Sequence, residues 1–257
     1  MAPTTAVAVR GRFVWYDLQT SDSSAAIEFY TKLFGWGTVP FDTGPNAPPY
    51  TMWTLNGIPF GGVMAEKGVP PNWLGYVATP DVDATAREIT RLGGTLIVPP
   101  SDIPTIGRFT VFCDPQGPVL AAYTALNEYQ GHDGNPNVGE FGWHELATGD
   151  YEKGFSFYHT LFGWDRGPAA PMGDEYGTYQ MFSRSDLQIG GMYNKPASAP
   201  GPNYWVHYVV VSDVDQIASR VPSLGGTVIY GPIDVPGGPR MAMFTDPMGA
   251  MFAVYKP

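Results

Sequence analysis

The 257 residues are 44% hydrophobic and 15% charged, enough apolar material for one large core or two ordinary ones. A formal net charge of −10 disfavours nucleic acid and anionic membrane surfaces as partners, since both call for a basic face. Cys113 is the single cysteine, so neither an intrachain disulfide nor a cysteine-based zinc site can form; the first ten residues lack a signal peptide's cationic head and apolar run, no apolar stretch reaches bilayer length, and the expected location is the cytoplasm.

After a tail over 1–11, the alternating, aromatic-rich stretch 14–18 predicts a strand. Asp22 or Ser23 then caps a helix that runs to Phe34 and stops at Gly35, with Ala26, Ile27, Tyr30, Leu33 and Phe34 at helical spacing. Strands follow near 35–41, 50–55 and 59–65, the last two joined by an Asn56-Gly57 turn. The pattern restarts with a strand over 73–79, a helix capped by Asp81 and ended by Gly93-Gly94, and strands near 95–99, 108–113 and 118–124. Asp114-Pro115-Gln116-Gly117 makes the turn between the last two. Residues 125–139, rich in Gly, Pro, Asn and Asp, read as a linker.

The chain then repeats itself. FVWYDLQTSDSSAAIEFYTKLFGWG, starting at Phe13, returns as FGWHELATGDYEKGFSFYHTLFGWD, starting at Phe141, an offset of 128 residues. The stretch from Asp81 to Tyr123 returns from Asp213 to Tyr255 at an offset of 132, with its DVD helix start and DPxG turn intact. The expected fold is therefore α+β, with tandem domains over 12–124 and 140–257, each of two βαβββ modules. Pro-rich loops at 44–49, 168–173 and 195–202 sit where a module edge could overhang a cleft.

AAIEFYTKLFGW, DVDATAREITRLGG and DPQG, in that order and in both halves, resemble the vicinal oxygen chelate superfamily. That group includes glyoxalase I, extradiol dioxygenases, and fosfomycin and bleomycin resistance proteins. The chain is most similar to tandem glyoxalase-like proteins of actinobacteria, among them a mycobacterial antigen group and accessory proteins of polyketide pathways. The resemblance implies that paired modules curl into an open half-barrel, and that metal-dependent members hold a divalent ion inside it. Carried over by position, their ligands fall at Trp15 and Trp143, at Leu74 and Val206, and at Ala121 and Ala253. None of these side chains offers the oxygen or imidazole donor such a site needs. The expectation is that no metal and no cofactor is bound. A register shift of one residue would instead bring His144 and His207 into the second half's cavity, with Glu145 nearby.

The same resemblance places Trp15 and Trp143 in the cavity, as walls for a flat ligand; the alternative for both is core packing. Asp17 and Glu145 lie two residues further on, hence on the same strand face. They suit ligand hydrogen bonding or a general base, or structural pairing with an arginine such as Arg12, Arg108 or Arg240. Arg108 and Arg240 match one another and suit either ion pairs or a ligand clamp. Trp53 and Phe182 correspond, and with Tyr76, His207 and Tyr208 they complete the ligand-binding candidates; most such aromatic residues pack in cores. No P-loop, Rossmann fingerprint or nucleophile elbow is present. The leading expectation is a metal-independent binder of a small, flat, largely apolar molecule, in sequestration, resistance or support of a tailoring step in secondary metabolism, with a homo-oligomer possible. The alternatives are an enzyme (a lyase, isomerase or hydroxylase-like catalyst) using Asp17, Glu145 or a metal at His144 and His207, and a protein-interaction module.

Overall fold

Four aspartates start the helices and alternating strands do the rest. In the computed structural model, which describes residues 9–42, 49–127 and 131–257, the first module is β1 (Phe13–Thr20), α1 (Ser23–Phe34), β2 (Gly37–Phe41), β3 (Tyr50–Leu55) and β4 (Ile58–Ala65). The second is β5 (Asn72–Ala78), α2 (Val82–Arg91), β6 (Thr95–Ile103), β7 (Gly107–Cys113) and β8 (Val119–Ala125). The third is β9 (Phe141–Thr148), α3 (Tyr151–Phe162), β10 (Asp165–Pro171), β11 (Thr178–Arg184) and β12 (Leu187–Asn194). The fourth is β13 (Tyr204–Val210), α4 (Val214–Arg220) with a 3-10 turn at Pro222–Leu224, β14 (Thr227–Asp234), β15 (Arg240–Thr245) and β16 (Met251–Lys256).

Asp22, Asp81, Asp150 and Asp213 each accept a backbone N–H from the first turn of the helix they precede. Gly35 and Gly163 close α1 and α3 in the left-handed conformation. Asn56 and Gly57 both take positive φ, 52° and 80°, as the tight turn between β3 and β4 requires.

Each half contributes one open eight-stranded sheet, in the orders β2-β3-β4-β1-β5-β8-β7-β6 and β10-β11-β12-β9-β13-β16-β15-β14. The long crossovers give the parallel pairs β1·β4, β5·β8, β9·β12 and β13·β16; the short turns give antiparallel ones. The chain packs into two compact units that each draw on both halves. One comprises residues 1–14, 75–134 and 143–205, of which 1–8 and 128–130 lie outside the described residues; the other comprises 15–74, 135–142 and 206–257, of which 43–48 do. The first unit packs Tyr158, Trp164, Phe182 and Trp205 ring against ring, and the second packs Tyr30, Trp36, Trp53 and Trp73 in the same way.

The structure departs from the expected elements in two places. Residues 168–171, expected in a loop, belong to β10, and β6 runs through Pro99 and Pro100 to Ile103. Both are edge strands whose register slips beside their prolines, where a missing N–H costs no ladder bond. The expected loop at 44–49 falls almost wholly outside the described residues, as does part of the linker, 128–130. Over 195–202 the chain does form a loop, held by the Lys195 ammonium on the carbonyls of Ala199 (2.8 Å) and Gly201 (2.7 Å).

Candidate functional site

Alternation divides β1 cleanly. Tyr16 and Leu18 turn to the side on which α1 packs; Trp15, Asp17 and Gln19 turn to the other. On that second side the Trp15 indole N–H donates to Asp17 Oδ1 (2.9 Å) and lies 2.8 Å from the Tyr50 hydroxyl, while Tyr50 donates to the same Asp17 oxygen (2.7 Å). Asp17 is 4% exposed, so its carboxylate depends on these donors. Tyr50 reaches it from two strands away because Gly62, paired with Asp17 across β1·β4, has no side chain where the phenol lies.

The second half repeats the arrangement. Trp143 donates to the Tyr179 hydroxyl (2.8 Å), and Tyr179 donates to Glu145 Oε2 (2.9 Å). Gly191, paired with Glu145 across β9·β12, leaves the room that the Tyr179 ring fills. Burial pushes both phenols well above the ordinary tyrosine range, and the negative charge of Asp17 or Glu145 adds to it. Each therefore stays a donor. Glu145 differs from Asp17 in being only half-buried. Sequence reasoning missed Tyr50 and Tyr179, although they stand at the same 129-residue offset as Trp53 and Phe182.

The structure thus brings together Trp15 with Asp17 and Trp143 with Glu145, and assigns other surroundings to the remaining candidates. Trp53 and Phe182 do not join Trp15 and Trp143 on one wall. Both are fully buried on the helix side, Trp53 among Tyr30, Trp36 and Trp73, and Phe182 stacked 4.5 Å from Trp164. Arg108 grips Asp83 with two nitrogens (2.8 and 3.0 Å) and Asp102 with a third (2.7 Å). Arg240 does the same with Asp215 (2.7 and 2.8 Å) and Asp234 (3.0 Å), so each guanidinium ties a strand start to the second aspartate of a DVD helix. Tyr76 pairs with Ala121 and lies 6.2 Å from Phe109; Tyr208 pairs with Ala253 and lies 6.3 Å from Tyr255.

The histidines fit ring packing better than metal binding. His144 stacks on Phe13 at 3.7 Å, and His207 meets the edges of Tyr16 and Phe141. Burial pulls His207 down to about 3. Among the described residues no group of three or more His, Cys, Asp or Glu side chains is arranged to hold a metal ion. At the positions where metal-dependent relatives would place ligands, Trp15, Leu74, Ala121, Trp143, Val206 and Ala253 supply no donor. No helix among the described residues is long and apolar enough to cross a membrane.

Comparison with known proteins agrees with this architecture. CFP32 of Mycobacterium tuberculosis, a protein that carries a glyoxylase name, is 36% identical over 255 residues, covering 95% of this chain and 94% of that protein. The anthracycline biosynthesis protein DauV of Streptomyces sp. (strain C5) is 31% identical over 260 residues, covering 95% and 92%. Among solved structures, the 2,3-dioxygenase LapB from Pseudomonas sp. KL28 superposes with a TM-score of 0.67 at 14% identity, covering 97% of this chain and 94% of that one. The Mn(II)-bound glyoxalase from Novosphingobium aromaticivorans gives 0.61 at 16% identity, covering 96% and 82%; at such identities the likeness concerns the fold. The family profile matches residues 12–121 and again 140–254, and the chain belongs to the Glyoxalase/Bleomycin resistance protein/Dioxygenase superfamily.

Proposed function

We propose that this protein binds a small planar molecule without the help of a metal, and acts in sequestration or resistance or beside a tailoring step of secondary metabolism. The observation that carries this reading is the repeated Trp–Tyr–carboxylate set on the sheet face away from the helices: Trp15, Tyr50 and Asp17, and Trp143, Tyr179 and Glu145. An indole offers a flat apolar wall, a neutral phenol a donor, and a carboxylate an acceptor, which together orient a flat ligand bearing a few polar groups. The anthracycline biosynthesis name of a relative that matches nearly end to end supports a setting in secondary metabolism. A planar aromatic ligand should quench tryptophan fluorescence on binding. Trp15→Ala or Trp143→Ala should weaken that binding about tenfold or more, through loss of stacking and apolar contact. Chelators should leave the titration unchanged. If both tryptophan variants bind like the parent, the rings are core and the reading fails.

A second reading, catalysis by a carboxylate base, is favoured by one contact: Tyr179 donates to Glu145 and so holds a half-buried carboxylate in place to take a substrate proton. Glu145→Gln distinguishes the two. Under the binding reading affinity changes moderately and there is no turnover to lose; under the catalytic one turnover disappears while binding survives.

A further inference from the structure

Two phenols of the second half reach toward one point. Tyr193 stands on β12 and Tyr204 opens β13, and these two strands flank β9 in the sheet. Their hydroxyls nonetheless come within 3.5 Å of each other, so both side chains lean across β9. Ala147 leaves the space they cross, since it is the β9 residue in register with Tyr193 and carries only a methyl. By the repeat offsets of 128, 129 and 132, the first half has Gln19, Met64 and Asn72 in place of Ala147, Tyr193 and Tyr204. There Asn72 donates to Gln19 (3.0 Å) and Gln19 to Glu66 (3.1 Å), so amides stand where the second half has a pair of phenols.

Resting on the binding reading above, we propose that Tyr193 and Tyr204 are a specificity-determining pair that grips the carbonyl oxygen of a planar aromatic ketone.

The distance between the hydroxyls carries the argument. An O–H···O bond is normally about 2.5–3.0 Å long, so at 3.5 Å each phenol gives the other little. Among the described residues neither hydroxyl has another hydrogen-bond partner. Tyr193 is 7% exposed and Tyr204 half-buried, and donors paired this poorly carry a cost that an incoming acceptor relieves. A carbonyl oxygen has two lone pairs, and one atom about 2.8 Å from each hydroxyl bridges the gap at normal bond lengths. Burial pushes both phenols above the ordinary tyrosine range, so both stay protonated and able to donate.

The flat body of such a ligand has its place beside the pair. Tyr179 lies directly across β11·β12 from Tyr193, with ring centroids 6.2 Å apart and planes 24° from parallel. Tyr176 stands 6.0 Å from the Tyr193 ring, and Trp143 donates to the Tyr179 hydroxyl (2.8 Å). A planar ketone laid along this row meets aromatic surface with its rings and the hydroxyl pair with its oxygen.

9-Fluorenone and fluorene, which differ in a C=O against a CH2, test the proposal by fluorescence titration into the full chain. Tyr193→Phe and Tyr204→Phe keep the rings and remove one hydroxyl each. For at least one site per chain, each should weaken fluorenone roughly fivefold and shift fluorene by less than about twofold, as loss of one hydrogen bond predicts. Tyr230→Phe, which alters an exposed phenol on β14, is the control and should leave both ligands within about twofold. In the infrared, the C=O stretch of bound fluorenone should lie at lower frequency in the parent than in either phenol variant. Near-ultraviolet circular dichroism checks that each variant is folded. Parallel losses of fluorenone and fluorene would make the phenols packing residues and overturn the assignment, as would an unchanged fluorenone affinity and stretch. Either result, with Trp143→Ala still weakening both ligands, would leave the binding reading standing. If neither fluorenone nor fluorene binds the parent protein, both proposals fall together.

Discussion

A buried histidine makes the stability of this protein depend on pH in a predictable direction. His207 is 1% exposed and packed between the edges of Tyr16 and Phe141, and burial holds it down to about 3 where an unfolded chain would titrate near 6.5. Between those values the unfolded state binds a proton that the folded state refuses. The stabilisation is complete above about pH 6.5 and is lost as pH falls toward 3, at about 1.4 kcal/mol per unit from this one group. Urea midpoints measured from pH 7 to pH 4.5 should fall, and the slope should shrink in His207→Phe; an unchanged slope would mean that the ring is protonated inside the fold. The sequence showed His207 as an aromatic-strand residue and left its partners open, since Tyr16 and Phe141 lie far from it along the chain. Tyr50 and Tyr179 were missed for a related reason. A phenol that reaches a carboxylate two strands away is specified by sheet register and by a glycine on the intervening strand, neither of which shows in local periodicity.

At the scale of elements, two matched hydrogen-bond chains pin helices to turns. Trp73 donates to the Tyr30 hydroxyl (2.9 Å), which donates to Asp246 (3.2 Å); Trp205 donates to Tyr158 (3.0 Å), which donates to Asp114 (2.9 Å). The aspartates belong to the DPxG turns and also accept backbone N–H groups there: Asp114 from Gln116, and Asp246 from Met248 and Ala250. Burial raises both carboxyls even so, and the tyrosine donors are part of what restrains that rise. Tyr30→Phe or Tyr158→Phe should therefore cost about 2 kcal/mol each, the penalty for leaving a buried indole without its acceptor and a buried carboxylate short of a donor. Denaturant unfolding measures it, and a loss below about 0.5 kcal/mol would show the chains to be incidental. The sequence displayed every member of these chains, Tyr30 and Tyr158 on helix faces and the aspartates in turns, because helix periodicity and turn chemistry are local. Which helix meets which turn was hidden, since α1 reaches the turn of the fourth module and α3 that of the second. Likewise β10 and the far end of β6 read as loops because their prolines argue against strands, and only their place at a sheet edge makes those prolines harmless.

On the scale of the molecule, the repeat and the packing divide the chain differently. Family matches over 12–121 and 140–254 define tandem glyoxalase-like domains, yet each compact unit takes segments from both. In one unit Phe112 packs near Phe157 and Phe162, and Phe13 lies against His144 and Trp164. In the other, Phe29 and Tyr30 meet Phe252, while Tyr16, Trp36 and Trp73 meet Phe141. A half expressed alone would leave its share of these rings in water, at about 1.5–3 kcal/mol for each fully exposed side chain. Three or four such losses match the whole stability of an ordinary domain, about 5–15 kcal/mol. A chain cut within the linker should therefore yield halves that are unfolded or aggregated when made separately. Made together, they should recover a folded complex with the tryptophan emission of the intact protein, because the cut leaves the ring packing intact. Size-exclusion chromatography and fluorescence of the separate and co-expressed halves decide the matter. Two well-folded, monomeric halves would show that the packing across the repeat is dispensable and that each tandem domain closes its own core.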